Sequence, residues 1–119
     1  MFLFRRGAGR PTPEQARTRT SDVTAVPCDV REVPRWRAGR APGAVSVPLI
    51  RLLDGAALPT DAQGRPVVAI CRFGHRSQRA GRLLASRGSD DVDVTGGMSA
   101  WAQAGLPVVD ERGQSGWIA

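Results

Sequence analysis

The stretch Pro66-Val67-Val68-Ala69-Ile70-Cys71-Arg72-Phe73-Gly74-His75-Arg76-Ser77 decides how this chain folds. Its first half is an unbroken apolar run, the pattern of a strand buried on both faces of a parallel sheet. Its second half turns polar at Cys71 and passes a glycine. It then enters a segment over 77–87 in which Ala80, Leu83 and Leu84 recur at helical spacing, and Gly88 stops it. A strand over 66–71 running into such a helix forms one arm of a βαβ unit. Ligands of open parallel sheets collect at this place, beyond the carboxyl end of the strand and before the helix N-terminus. Cys71 stands at that junction.

Outward from it, the same alternation repeats. Upstream, Thr12-Pro13-Glu14-Gln15 reads as a helix start, with Thr12 as cap, Pro13 at the first helical position and Gln15 completing a capping box. Val23 to Cys28 is a strand candidate that Pro27 weakens. Asp29-Val30-Arg31-Glu32 leaves it, and Pro34 opens a short helix to about Ala38. Gly39 and Pro42-Gly43 mark a turn, Val45 to Val47 a brief strand, and Pro48 a second short helix ending near Gly55. Downstream, Asp91 to Thr95 is a short strand. Gly96-Gly97 precedes a helix carrying Met98 and Trp101, and Gly105 closes it. Strands alternating with helices imply an α/β fold with a mainly parallel sheet.

At 119 residues, 41% hydrophobic and 24% charged, the chain suits one globular domain. We expect a flexible Arg- and Gly-rich tail over 1–11, a domain over 12–110 and a C-terminal tail over 111–119. No apolar run approaches the roughly 20 residues that span a bilayer. The short apolar start, with Arg5-Arg6 after it rather than before, does not read as a secretory signal. The expected location is cytoplasmic, with no membrane partner. The net charge of +6 raises nucleic-acid binding, but all 17 basic residues are arginine, which looks like compositional bias. The excess is also local. Residues 1–20 hold five arginines against Glu14, while the remaining twelve face ten acids. A nucleic-acid partner is not expected.

Cys28 and Cys71 lack C-x-x-C spacing, so a reactive thiol is a better expectation than a structural disulfide. The Cys71 loop can turn backbone N–H groups inward as an anion-binding concavity, and the helix dipole behind it favours negative charge there. Arg72, Arg76 and His75 add positive potential, which should lower a thiol pKa of about 8.5 towards or below neutrality. Gly74 supplies a backbone conformation that a side chain would forbid.

Cys71-Arg72-x-Gly74-x-Arg76-Ser77 resembles the active-site loop of the rhodanese family residue for residue. Asp29-Val30-Arg31-Glu32 is similar to that family's D-V-R-E segment, and Pro42-Gly43-Ala44 with Pro48 to its P-G-A turn. Gly96-Gly97, Trp101 and Ala104-Gly105-Leu106-Pro107-Val108 resemble its closing segment. The resemblance covers about residues 21–108 in the family's order. It implies a central sheet of about five short strands, mainly parallel, flanked by helices on both faces. It also implies sulfurtransferase chemistry. The Cys71 thiolate takes the outer sulfur of a small anionic donor such as thiosulfate, holds it as a persulfide, and passes it to a thiol or cyanide acceptor. A sulfur-relay protein is a further partner the resemblance allows. Neither metal nor organic cofactor is called for. Arg72, Phe73, Gly74, His75, Arg76 and Ser77 would form the substrate pocket, Arg76 foremost, with Asp29 and Arg31 in support.

Two positions depart from the family's pattern. Arg35 stands where the family usually has a glutamate, and Gly39-Arg40-Ala41 where it usually has G-H-I. The competing readings are a non-catalytic interaction module of the same fold and a cysteine phosphatase or arsenate reductase. Phosphatase loops need C-x5-R, whereas the sixth residue after Cys71 is Ser77. Cys28 is expected as core packing, with a resolving thiol for Cys71 as the sharper alternative. Trp101 and Met98 are expected as helix core, and Trp36 beneath the arginine-rich turn.

Overall fold

The computed structural model describes residues 10–22, 24–88 and 91–119. Val67–Ile70 forms the third strand in chain order, β3, and all four of its residues are fully buried. Each aliphatic side chain so buried contributes about 1.5–3 kcal/mol, which explains why this run anchors the sheet. β3 lies between β1 (Val26–Asp29) and β4 (Asp91–Asp93), and β2 (Val45–Ser46) completes the order β2-β1-β3-β4. All three pairings are parallel, with Cys28 beside Ala69 and Asp29 beside Ile70. Val23, the expected start of β1, lies outside the described residues.

Side chains alternate across β3. Val67, Ala69 and Cys71 pack with Leu52, Ala80 and Leu84 on one face; Val68 and Ile70 pack with Ala16, Met98 and Trp101 on the other. Two helices, α3 (Leu49–Leu53) and α4 (His75–Ser86), cover the first face. The other pair, α1 (Pro13–Ser21) and α5 (Gly97–Gln103), covers the second. A short α2 (Val33–Ala38) links β1 to β2. This is the α/β sheet with helices on both faces. It has four strands among the described residues instead of about five. The segment around Val109 makes isolated antiparallel bridges to Arg40 and Ser115.

Pro27 is tolerated in an inner strand for a geometric reason. The N–H groups of Val26 and Val30 donate to β3, so alternation points position 27 towards β2. There the ladder begins only at Cys28, and no partner is lost. The capping box at Thr12 is present, with Gln15 N–H on Thr12 Oγ1 and Thr12 N–H on Gln15 Oε1.

The strands are a residue or two shorter than expected, and three other boundaries differ as well. Helix α4 begins at His75, not Ser77, because Gly74 turns the chain at φ +105° and serves as its N-cap. Of the tail expected over 1–11, residues 1–9 lie outside the described residues. Pro11 is buried, and its carbonyl accepts the Thr95 N–H at 3.0 Å. Residues 111–119 fold back instead of trailing: Gly116 N–H donates to Val108 O and Trp117 N–H to Ala38 O. Gly39 has no Cβ to obstruct that return, since one would run into the Trp117 carbonyl.

Candidate active site

The site begins where β3 ends. Ile70 is the last strand residue, and Cys71 follows with its side chain on the α4 face. The next peptide units are gripped from below by the start of α5. Met98 N–H donates to Cys71 O at 2.7 Å and Ser99 N–H to Arg72 O at 2.9 Å. Gly97 permits this approach, because a Cβ there would lie 2.7 Å from the Arg72 carbonyl carbon. The Gly96-Gly97 pair of the sequence thus belongs to the active loop, although it lies more than twenty residues downstream.

Gly74 then folds its own N–H back onto the sulfur, at 3.0 Å from Cys71 Sγ. The Ser77 hydroxyl sits 3.3 Å from the same sulfur, fully buried behind it. The expected ring of inward amides reduces to this one N–H and one hydroxyl among the described contacts of the sulfur. The Gly74 N–H donates to the sulfur, whereas the Ser77 hydroxyl accepts from the thiol. Only once the thiol is ionised can that hydroxyl donate to it, and the N-terminus of α4 also favours negative charge there.

Cys71 is 2% exposed and forms the floor of a cavity of about 220 Å³. Arg31, Arg35, Arg72, Phe73, His75 and Arg76 form the remainder of its wall. Six of the expected site residues therefore meet around one opening: Arg31, Cys71, Arg72, Phe73, His75 and Arg76. Gly74 and Ser77 stand behind the sulfur instead of in the wall. Phe73 is exposed at the rim, with the Arg72 guanidinium 5.1 Å from its ring centroid.

Asp29 is buried and fixes Arg31, accepting its Nη2–H at 2.7 Å and its Nε–H at 2.9 Å. Removing Asp29 would strand a buried guanidinium at a cost of about 3–5 kcal/mol. Arg31 is itself only 1% exposed, and its Nη1 has no hydrogen-bond partner. A buried cationic donor without a partner, in the wall of a cavity over a thiol, is suited to an anion.

Arg76 is shared. It forms an ion pair with Glu32, which also accepts from Arg35 Nε at 2.9 Å. Burial alone would raise the Glu32 pKa. The hydrogen bonds from its own backbone N–H, Arg76 and Arg35 outweigh that and hold the carboxyl below its ordinary value. The two departures separate here. Arg35 faces the cavity, whereas Arg40 stacks on Trp36 with its guanidinium 3.9 Å from the ring centroid. Trp36 in turn donates its indole N–H to Ala44 O at 2.9 Å, beneath the turn as expected.

Cys28 does not end its strand. It is fully buried two register positions behind Cys71 on the same face. Strand spacings put the two Cα atoms about 8 Å apart, beyond the roughly 7 Å a disulfide can bridge without backbone movement. Burial first, then the charges of Asp91 and Asp29, push its thiol up to about 12. The resolving-thiol alternative is corrected to core packing.

Three contributors escaped the sequence reading. Glu32 was legible only as part of a motif, not as the partner of Arg76. Asp93 and Arg10 had no signal at all, because their placement beside the loop depends on β4 and on the segment before α1 (Arg10 Nη2 to Asp93 Oδ2, 2.6 Å). Among the described residues, no group of three or more His, Cys, Asp or Glu could hold a metal ion. No helix among them is long and apolar enough to cross a membrane.

The family model for the rhodanese-like domain matches residues 12–104. Thiosulfate sulfurtransferase GlpE of Actinobacillus succinogenes is 36% identical over 98 residues, covering 82% of this chain and 86% of that protein. The adenylyltransferase and sulfurtransferase UBA4 of Yarrowia lipolytica is 32% identical over 103 residues; the match takes in 87% of this chain but only 25% of that protein's length. Among solved structures, a rhodanese-related protein from Thermoplasma volcanium superposes with a TM-score of 0.73 at 25% identity. That likeness covers 86% of this chain and 98% of the other.

Proposed function

The chain belongs to the rhodanese-like domain family, and on that premise we propose that it is a sulfurtransferase carrying sulfane sulfur as a persulfide on Cys71. Residues 12–110 form the catalytic unit. The observation that carries this reading is a buried sulfur with the Gly74 N–H 3.0 Å away, at the floor of a cavity lined by four arginines.

The donor is a small dianion of the thiosulfate type. It enters past Phe73 and is neutralised by Arg76, Arg72 and Arg35, with the unpartnered Nη1 of Arg31 completing its hydrogen bonds. Binding takes Arg76 from Glu32, exchanging one anion for another. The Cys71 thiolate attacks the outer sulfur, a new S–S bond forms, and sulfite leaves with the electron pair of the broken S–S bond. The Gly74 N–H and the Ser77 hydroxyl stabilise the sulfur they face, in the manner of an oxyanion hole. A thiolate or cyanide then attacks the outer sulfur of the persulfide, and the Cys71 thiolate is the leaving group. The cycle is redox-balanced without an external oxidant or reductant. The similarity to the thiosulfate sulfurtransferase of Actinobacillus succinogenes supports thiosulfate as donor. A protein thiol as acceptor is supported by Ile50 and Leu53, exposed by 65% and 43%, which line a groove sharing Arg76 with the cavity.

Intact-mass analysis after incubation with thiosulfate tests the reading. The wild type should gain one sulfur atom, lost again on adding cyanide, and Cys71→Ser should gain none. A gain in both proteins, or in neither, overturns it.

A further inference from the structure

The cavity accounts for one side of Cys71. The other side is built around Ser77, and behind it stand two residues that the transfer cycle does not use, Asp93 and Arg10. Ser77 Oγ lies 3.3 Å from Cys71 Sγ, 3.2 Å from Gly74 O and 3.5 Å from Asp93 Oδ2. A hydroxyl has one proton to donate, so once Cys71 is ionised these three acceptors compete for it. Arg10 reaches two of the three. Its Nε–H donates to Asp93 Oδ2 at 2.8 Å and its Nη2–H to Gly74 O at 3.1 Å.

The segment carrying Arg10 is fixed at its root, with Thr95 N–H on Pro11 O at 3.0 Å and Thr95 Oγ1 donating to Arg10 O at 3.4 Å. Gly74 makes room for the guanidinium, since a Cβ there would lie 2.7 Å from Arg10 Nη2. The Asp93 side chain is nearly buried, so its charge acts at close range and is weakly screened.

We propose that Arg10 is a positioning residue for Cys71. It occupies Asp93 and the Gly74 carbonyl so that the Ser77 hydroxyl is left to the ionised sulfur, and it cancels an aspartate charge that would oppose that ionisation. The proposal rests on taking Cys71 as the reactive nucleophile. Other charged or titratable groups face the sulfur from the cavity side: Arg31 with Asp29 behind it, Arg35, Arg72, His75 and Arg76. From the β4 side, Asp93 faces it through Ser77. The arginines act in the same direction as Arg10; Asp93 acts against it from behind, and Asp91, whose charge reaches Cys28, lies two residues farther back along β4.

The test is the pH profile of Cys71 alkylation by iodoacetamide, read by intact mass with no sulfur donor present. Arg10→Ala should move the rising limb to higher pH and slow alkylation on that limb by about tenfold, the equivalent of about one pH unit. Adding Asp93→Asn should bring the profile back, because the opposing charge is gone. Asp93→Asn alone, with Arg10 still in place, should move the limb to lower pH. That single variant decides the matter if Arg10→Ala fails to melt cooperatively. An unmoved limb in both single variants, or a shift that persists in the double variant, overturns the proposal. The profile needs no sulfur transfer, so a failure of thiosulfate loading in the wild type would sink the function reading and leave this result standing.

Discussion

Cys28 lies on β1 and Cys71 just past the end of the adjacent parallel β3; they face the same side of the sheet and are nearly equally buried, at 0% and 2% exposure. Burial does not distinguish them; their place along the strand does. Cys28 sits mid-ladder, where the neighbouring N–H groups are spent on the sheet and the nearest charges are Asp29 and Asp91. Cys71 sits one residue past the ladder, where the chain must turn. The turn frees the Gly74 N–H for the sulfur and brings the start of α4 and four arginines around it. Two buried thiols on one face of the same sheet thus differ: Cys28 is a packing group, whereas Cys71 has a backbone donor and a cation-lined cavity beside it. The difference lies in what the backbone has left to donate.

The largest effects should come from exchanging sulfur for oxygen at each position. Cys71→Ser should abolish sulfur loading, by about a thousandfold or more, with little change in the melting transition. Cys28→Ser should do the reverse. It should load normally and lose about 1–3 kcal/mol of stability, because a hydroxyl is placed in a core with nothing to bond. Loading lost in Cys28→Ser at full stability would break the comparison. Native-state alkylation sharpens it, since Cys71 should label fully before Cys28 labels at all.

A smaller effect is expected from the cations. Arg76→Ala should raise the donor KM about 10–100-fold, the worth of one charge-assisted bond, with kcat moved less. The smallest effect concerns the carboxylate that holds Arg76. Glu32→Gln should lower the donor KM a few-fold, since the anion no longer displaces a charged partner. The pH dependence follows in sign. The Glu32 carboxyl lies below its ordinary value of 4.5, so its ion pairs persist through neutral pH and loosen as the pH falls below that value. Steady-state assays in that acid range should show donor KM falling in the wild type and staying flat in Glu32→Gln.

Much of this arrangement was legible in the residues. The run Val67–Ile70, the glycine after Cys71 and the apolar spacing of α4 are local patterns, and local patterns place a strand, a turn and a helix without help from the rest of the chain. Details failed where an outcome depended on a distant partner. The α4 start moved two residues because Gly74 adopts a left-handed conformation that Arg10 and the α5 N-terminus help to define. The return of 111–119 depended on Gly39, more than seventy residues earlier. The role of Gly97 depended on the carbonyls of Cys71 and Arg72.

By itself, the sequence determined which strand leads to Cys71 and which helix follows it, because both follow from short-range periodicity and turn chemistry. Only the tertiary structure decided what surrounds that sulfur. Arg31 with its unpartnered nitrogen, Glu32 across from Arg76, and the Arg10–Asp93 pair behind Ser77 come from four separate segments. Electrostatic influence depends on distance in space, and residues 10, 32, 77 and 93 become neighbours only once the sheet has assembled.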